Sequence, residues 1–181
     1  MGPLTKMEPC NCTIGLVELV NYIGGLSDKT ICEIGCFLGI STETFLCFNP
    51  KKLYAIDIWG LNEQYSECDW IFNGRPNFND IEQQFRNMAK NYNNVEIIKN
   101  YSKYACHGFQ NESLDVVYID GEHTYTCVSD DIKCWLPKIK KGGYMCGHDI
   151  VQHQIESAVI DTLKTNNVVK FSDSSWLVKI Q

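Results

Sequence analysis

The sequence has no C-x-x-C pair, no long apolar run and no excess of positive charge. Each absence removes a class. Ten cysteines stand at Cys10, Cys12, Cys32, Cys36, Cys47, Cys68, Cys106, Cys127, Cys134 and Cys146. Without paired spacing they do not form a zinc ribbon. Cys32, Cys134 and Cys146 fall in predicted strands or helices, where a thiol acts as a small buried hydrophobe. All ten are expected to be free thiols in a reducing, cytoplasmic compartment. No apolar stretch approaches the roughly 20 residues of a membrane span. The opening MGPLTKMEPCNC lacks the apolar core of a leader, and Lys6 spoils a myristoylation signal. A net charge of −6 argues against non-specific binding to nucleic acid. There is no internal repeat, low-complexity tract or linker, so residues 1–181 are expected to form a single domain. Oligomeric state has no code here, and a homodimer is left open.

What is present centres on residues 30–42, TICEIGCFLGIST. Thr30 to Ile34 is a short β-branched, apolar run that reads as a buried strand. Gly35 and Gly39 follow at once, and a helix is expected from Ser41 to Phe48. Strand, glycine turn and helix N-terminus together form a nucleotide-binding turn, or else an ordinary corner. The pattern is E-x-G-x-x-x-G, with Phe37 in place of the middle glycine of G-x-G-x-x-G. Phe37 would crowd a pyrophosphate. Glu33 at the strand end suits a cationic ligand, and S-adenosyl-L-methionine carries an ammonium and a sulfonium.

In chain order, a helix is expected over residues 13–24, with Thr13 as cap and Gly24-Gly25 as stop. Leu53 to Ile58 reads as the second strand. Asp57 lies 22 residues after Gly35, the usual distance for an acid that accepts from ribose hydroxyls. Residues 59–78 hold five aromatics without periodicity and read as a lid over the site, or as a loop packing its own rings. Asn79 resembles the cap of a following helix. Strands are expected at 95–98, 114–119 and 144–147, the last after a reset at Gly142-Gly143. The helix before that reset carries Val128, Ile132, Trp135, Leu136 and Ile139. After a last helix, Val168–Phe171 and Trp176–Ile180 pair as a terminal hairpin. Five strand–helix alternations predict an α/β fold: a doubly wound, Rossmann-like, mainly parallel sheet closed by a C-terminal antiparallel hairpin.

In such a sheet ligands bind at the C-terminal strand ends. The polar residues expected there are Glu33, Asp57, Ser102, Asp120, His123, His148 and Asp149. If the strands ending at Asp120 and Asp149 are neighbours, the two acids can converge on a hard cation such as Mg²⁺. His123 can overhang the same pocket as a general base. The plain alternatives are a loop-capping histidine and acids bonded to helix N-termini.

Six ordered motifs carry a resemblance: Glu33–Thr42, Ile56–Trp59, Ile119–Tyr125, Asp131–Pro137, Gly142-Gly143 and His148-Asp149. Over about residues 28–164 the chain resembles the class I S-adenosylmethionine-dependent methyltransferases, and more narrowly the small sugar and catechol-type O-methyltransferases. The resemblance implies that Glu33, Gly35 and Gly39 line the methionine end of the cofactor, with Ser41 and Thr42 capping the helix beside it. It implies Asp57 on the ribose hydroxyls, Ile58 and Trp59 beside the sugar or adenine, and Ser102 near the adenine. Asp120 and His123 would be catalytic, and Asp120, His148 and Asp149 would hold Mg²⁺ or another divalent cation. His148 departs from the acid that metal-binding relatives carry, and imidazole is a poor Mg²⁺ ligand. The expected acceptor is a hydroxyl on a sugar, glycan or other small molecule. Two other readings are a catalytically silent cofactor-binding subunit and a nicotinamide oxidoreductase.

Overall fold

A computed structural model describes residues 13–60 and 77–181. The elements follow the hydrophobic pattern. They run α1 (Ile14–Tyr22), β1 (Thr30–Ile34), α2 (Ile40–Cys47), β2 (Lys52–Asp57) and α3 (Phe78–Ala89). After these come β3 (Val95–Lys99), α4 (Ser102–Ala105), β4 (Leu114–Ile119) and α5 (Tyr125–Trp135). The chain closes with β5 (Ile139–Gly147), α6 (His153–Leu163), β6 (Val169–Lys170) and β7 (Trp176–Lys179). One seven-stranded sheet takes the order β3-β2-β1-β4-β5-β7-β6. The first five strands in that order are parallel, and β7 is antiparallel to both β5 and β6.

Strand alternation divides the core between the two faces of the sheet. Ile31, Leu53, Val116 and Tyr118 pack with Leu19, Phe45 and Phe85 from α1, α2 and α3. Cys32, Ile34, Val117 and Ile119 pack with Ile132, Trp135 and Val159 from α5 and α6. Covering both faces explains why the central strands read as continuous apolar runs. On β1, Glu33 shares its side with Ile31 and so is turned toward α2. The chain winds outward through β2 and β3, then returns to place β4 on the other side of β1. The crevice that follows from this reversal opens between the ends of β1 and β4. There the Asp120 N–H donates to the Ile34 carbonyl at 2.8 Å. Gly35, at φ +84°, passes so close that a Cβ would lie 2.1 Å from the Asp120 carbonyl oxygen.

Several local expectations are corrected. Thr13 holds the cap position of α1, but its side chain makes no capping bond. Asn77, not Asn79, caps α3: its Oδ1 accepts from the Asn79 N–H at 3.1 Å, and its amide donates to Asp80 at 2.8 Å. The cap and its acidic partner are therefore Asn77 and Asp80, two residues earlier than expected. Gly142-Gly143 does not reset the chain. β5 already begins at Ile139, and Gly142 at φ +80° absorbs a register shift against β4. Cys106 and Cys134 form a disulfide rather than two free thiols. Their Cα atoms are 6.3 Å apart, although 28 residues separate them in sequence. Cys32, Cys36, Cys47, Cys127 and Cys146 are free. Most of the expected lid lies outside the described residues. Among the described residues, no helix is long and apolar enough to cross a membrane.

Candidate active site

The glycine turn is held by its own backbone and by two buried acids. Glu33 is fully buried, and its carboxylate accepts from the hydroxyls of both Ser41 and Thr42. Ser41 and Thr42 therefore clamp Glu33; the cap of α2 is Gly39, at φ +90°. Burial pushes the Glu33 carboxyl up to about 7, against the two hydroxyl bonds, and the charges of Asp120 and Asp57 add to the rise. Asp57 folds back over the turn. Its Oδ2 accepts from the N–H groups of Cys36 and Phe37, and its Oδ1 from that of Trp59, all at 2.8 Å. Burial raises its pKa, while these backbone bonds oppose the rise.

These bonds decide what the turn can hold. The Gly35 N–H donates to the Ile56 carbonyl and the Gly39 N–H to the Cys36 carbonyl. With Cys36 and Phe37 committed to Asp57, four N–H groups that a pyrophosphate would need are already used. Two further carboxylates, Asp57 and Asp120, lie close enough to Glu33 to raise the cost of its charge. That donor set suits a cationic ligand and disfavours an anionic one.

Trp59 is turned into the core. It is 2% exposed, its ring packs on Phe85 at 4.9 Å, and its indole N–H donates to the Phe37 carbonyl at 3.0 Å. The ring thus props the turn from below. Ile58 is partly exposed at the end of β2. Ser102 starts α4, and its oxygen accepts from the Trp135 indole N–H at 2.7 Å.

At the far side, β4 and β5 are neighbours, so Asp120 and Asp149 meet. His123 Nε2 lies 3.2 Å from Asp149 Oδ2 and 3.7 Å from Asp120 Oδ1. Asp120, His123 and Asp149 each offer one donor atom within 4.8 Å of the others, so they could hold a metal. This differs from the expected set of Asp120, His148 and Asp149. His148 instead pairs through Nδ1 with Asp149 at 3.3 Å, and its Nε2 lies 3.4 Å from Ser174 Oγ. Burial would lower its pKa, but the carboxylates of Asp149, Asp120 and Asp173 outweigh it and push it up to about 9. Asp149 is held below the usual carboxylate range, chiefly by His148. It also sits at φ +60°, a strained backbone of the kind that gathers at functional sites.

The sequence reading missed Ser174 and Trp176, whose indole N–H donates to the His148 carbonyl at 3.1 Å. No motif marks them; only the antiparallel return of β7 brings them there. A cavity of about 450 Å³ lies at the other end of the sheet, lined by Tyr22, Gly142 and Lys179 among others. It holds none of the acid–histidine chemistry.

A methyltransferase-domain family model matches residues 32–150. A ribosomal RNA small subunit methyltransferase A from Ehrlichia chaffeensis is 43% identical over 56 residues, covering 29% of this chain and 21% of that protein. The chain spans 21% and 14% of the length of the curated relatives it matches. A putative caffeoyl-CoA O-methyltransferase from Staphylococcus aureus shares the fold at a TM-score of 0.60 and 17% identity, covering 99% of this chain and 85% of that one. A SAM-dependent methyltransferase from Aquifex aeolicus does so at 0.61 and 11% identity, covering 94% and 93%. With the family match spanning most of the chain, and a seven-stranded sheet whose terminal pair is antiparallel, the protein belongs to the methyltransferase-domain family and has the class I, S-adenosylmethionine-dependent fold.

Proposed function

We propose that the chain transfers a methyl group from S-adenosyl-L-methionine to a hydroxyl oxygen of a sugar, glycan or other small molecule. The observation that carries this reading is His123, placed between two carboxylates where β4 and β5 end. When bound, the cofactor supplies a methyl already activated on a sulfonium. The chain's work is then to position the acceptor and remove its proton. Glu33, Asp57 and Asp120 supply the negative surroundings that favour the cofactor's cationic end. His123 accepts the acceptor's proton, and Asp149 and Asp120 stabilise the imidazolium that results.

A second reading is favoured by the convergence of Asp120, His123 and Asp149. A divalent cation held there would bind the acceptor oxygen and lower its pKa. One imidazole and two carboxylates suit Mn²⁺ or another borderline cation better than Mg²⁺. The ribosomal RNA methyltransferase relative raises an RNA acceptor. Against it stand the net charge of −6 and the acids Asp120, Glu122 and Asp149 at the mouth.

The test is methyl transfer measured across sugar nucleotides, glycans, catechols and ribosomal RNA, with EDTA, Mg²⁺ or Mn²⁺. Transfer to a hydroxyl that survives EDTA supports the His123 base. Transfer restored only by a cation supports the metal reading. Transfer to RNA or to nitrogen alone overturns both.

A further inference from the structure

Between β6 and β7 the chain runs Phe171-Ser172-Asp173-Ser174-Ser175, a turn of small polar residues. Each of the last four makes a different bond. Asp173 Oδ1 accepts from the Ser175 N–H at 2.9 Å, the local closure by which an aspartate sets a turn two residues on. The Phe171 N–H donates to the Ser175 carbonyl at 2.9 Å and closes the turn further. Ser175 is buried, with its hydroxyl 3.2 Å from that of Tyr118. Ser174 is left at φ +72°, a left-handed backbone uncommon for serine.

The second oxygen of Asp173 reaches out of the turn. Oδ2 accepts from the Leu16 N–H at 2.8 Å, across 157 residues of sequence. Helix α1 lacks a local acceptor of this kind: Thr13 makes no capping bond, and the first turn carries no acid. Leu16 is the third residue of α1, a position that a cap normally serves. Asp173 therefore caps α1 from the β6–β7 turn. Gly15 makes room for it, since a Cβ there would lie 2.0 Å from Asp173 Oδ1. Glu18 adds a second tie, accepting from the N–H and the hydroxyl of Ser172 at 3.0 and 2.9 Å.

The same turn also holds the acid–histidine end of the crevice. The Ser174 carbonyl accepts from the Ile150 N–H at 3.1 Å, and Ser174 Oγ lies 3.4 Å from His148 Nε2. The other nitrogen of that ring, Nδ1, is 3.3 Å from Asp149 Oδ2. The same carboxylate oxygen is 3.2 Å from His123 Nε2. One path of contacts thus leads from the first turn of α1 through Asp173 and Ser174 to His148, Asp149 and His123.

We infer that Asp173 is a positioning residue: by seating the β6–β7 turn on α1 it holds Ser174 against His148, and so fixes Asp149 for its contact with His123. Its effect on turnover rests on the methyl-transfer reading above. Its effect on the two imidazoles does not.

The experiment follows the imidazole signals of the chain, labelled at histidine, by NMR at one fixed pH, beside steady-state kinetics. His107 and His153 serve as internal references for His123 and His148. Two substitutions on different elements cut the same contact. Asp173→Asn replaces one accepting oxygen by an amide that only donates, and Gly15→Ala drives a methyl group into Asp173. Asp115→Asn is the control: it also takes an acceptor from a backbone N–H, that of Thr30 at 2.8 Å, but at the opposite end of the sheet. Asp173→Asn and Gly15→Ala should each move the His148 and His123 signals and leave the other two in place. Each should lower kcat about 3- to 10-fold, the scale of one hydrogen bond, with S-adenosylhomocysteine affinity kept within about twofold. Combined, they should add little to either alone. Asp115→Asn should lower the melting temperature without moving the His148 and His123 signals. A lowered melting temperature with those signals unmoved in Asp173→Asn makes Asp173 a plain helix cap and overturns the inference, as does an equal movement under Asp115→Asn. Moved signals in a chain that methylates no hydroxyl overturn the methyl-transfer reading and leave the positioning standing.

Discussion

The glycine turn after β1 and the acid–histidine end of β4 and β5 face the same crevice, but different bonds hold them. At the turn, the acids are satisfied by backbone N–H groups and short hydroxyls: Asp57 by three amides, Glu33 by Ser41 and Thr42. At the far end, the acids are satisfied by imidazoles at 3.2–3.7 Å, on side chains that are partly exposed. The first arrangement is rigid and specifies a shape. The second can exchange protons or accept a cation. A transferase needs both: one side to hold the donor in place, and one to respond to the acceptor.

The contrast breaks most sharply at His123. His123→Ala should lower turnover by about 10² to 10⁴, the usual general-base contribution, while S-adenosylhomocysteine affinity stays within about twofold. Steady-state kinetics beside calorimetry separates the two effects; a matching loss of affinity would place His123 on the cofactor side instead.

On the rigid side, Gly35→Ala should destabilise the fold by about 3 kcal/mol or more, since its Cβ would meet a carbonyl in a left-handed backbone. Gly121→Ala sits across the same contact, yet its Cβ meets nothing nearer than Ile34 Cγ2 at 3.8 Å. It should cost far less in a denaturant titration. Equal costs would mean that the turn is not the tight element described.

Glu33 gives this side a pH dependence. Its folded pKa of about 7 stands above the ordinary 4.5, so the folded chain binds the proton more tightly than the unfolded chain. That contribution is fully present below about 4.5 and is lost as pH rises through about 7. Its size is on the order of 3 kcal/mol. Denaturant midpoints followed over that window should fall with pH, and Glu33→Gln should flatten the slope. A slope that survives in the variant assigns it elsewhere.

Asp57→Ala releases three amides of the turn and removes the acceptor for ribose hydroxyls. Cofactor affinity should fall by roughly 1.5–3 kcal/mol, the range for hydrogen bonds to a charged group. Calorimetry on the folded variant checks this, and an unchanged affinity would reduce Asp57 to a purely structural role.

Much of this was legible in the sequence because it depends on local chemistry. The β-branched run at Thr30–Ile34 and the glycines after it specify β1 and its turn, and the alternation of strands and helices specifies the sheet. The pairing of Asp120 with Asp149 followed from neighbouring strands. What was not legible depends on direction or on distant partners. Ser41 and Thr42 read as caps, yet alternation on β1 turns Glu33 to meet them. Trp59 opens an aromatic stretch and reads as a ligand wall, yet its φ of +35° helps send the ring into the core. Asn79 reads as a cap, yet the helix already starts at Phe78 and Asn77 caps it. The Cys106–Cys134 pair has no spacing code, and the tie of Ser174 to His148 exists only because β7 runs back along β5.

With its amides committed to Asp57 and to its own carbonyls, the glycine turn suits a cationic nucleoside and not a pyrophosphate. Calorimetric titration of the chain with S-adenosylmethionine and, separately, with NAD tests it most directly. Saturable binding of S-adenosylmethionine, lost or weakened in Asp57→Ala, with no heat from NAD, is the predicted result. Binding of NAD, or S-adenosylmethionine binding that is indifferent to Asp57, would contradict it.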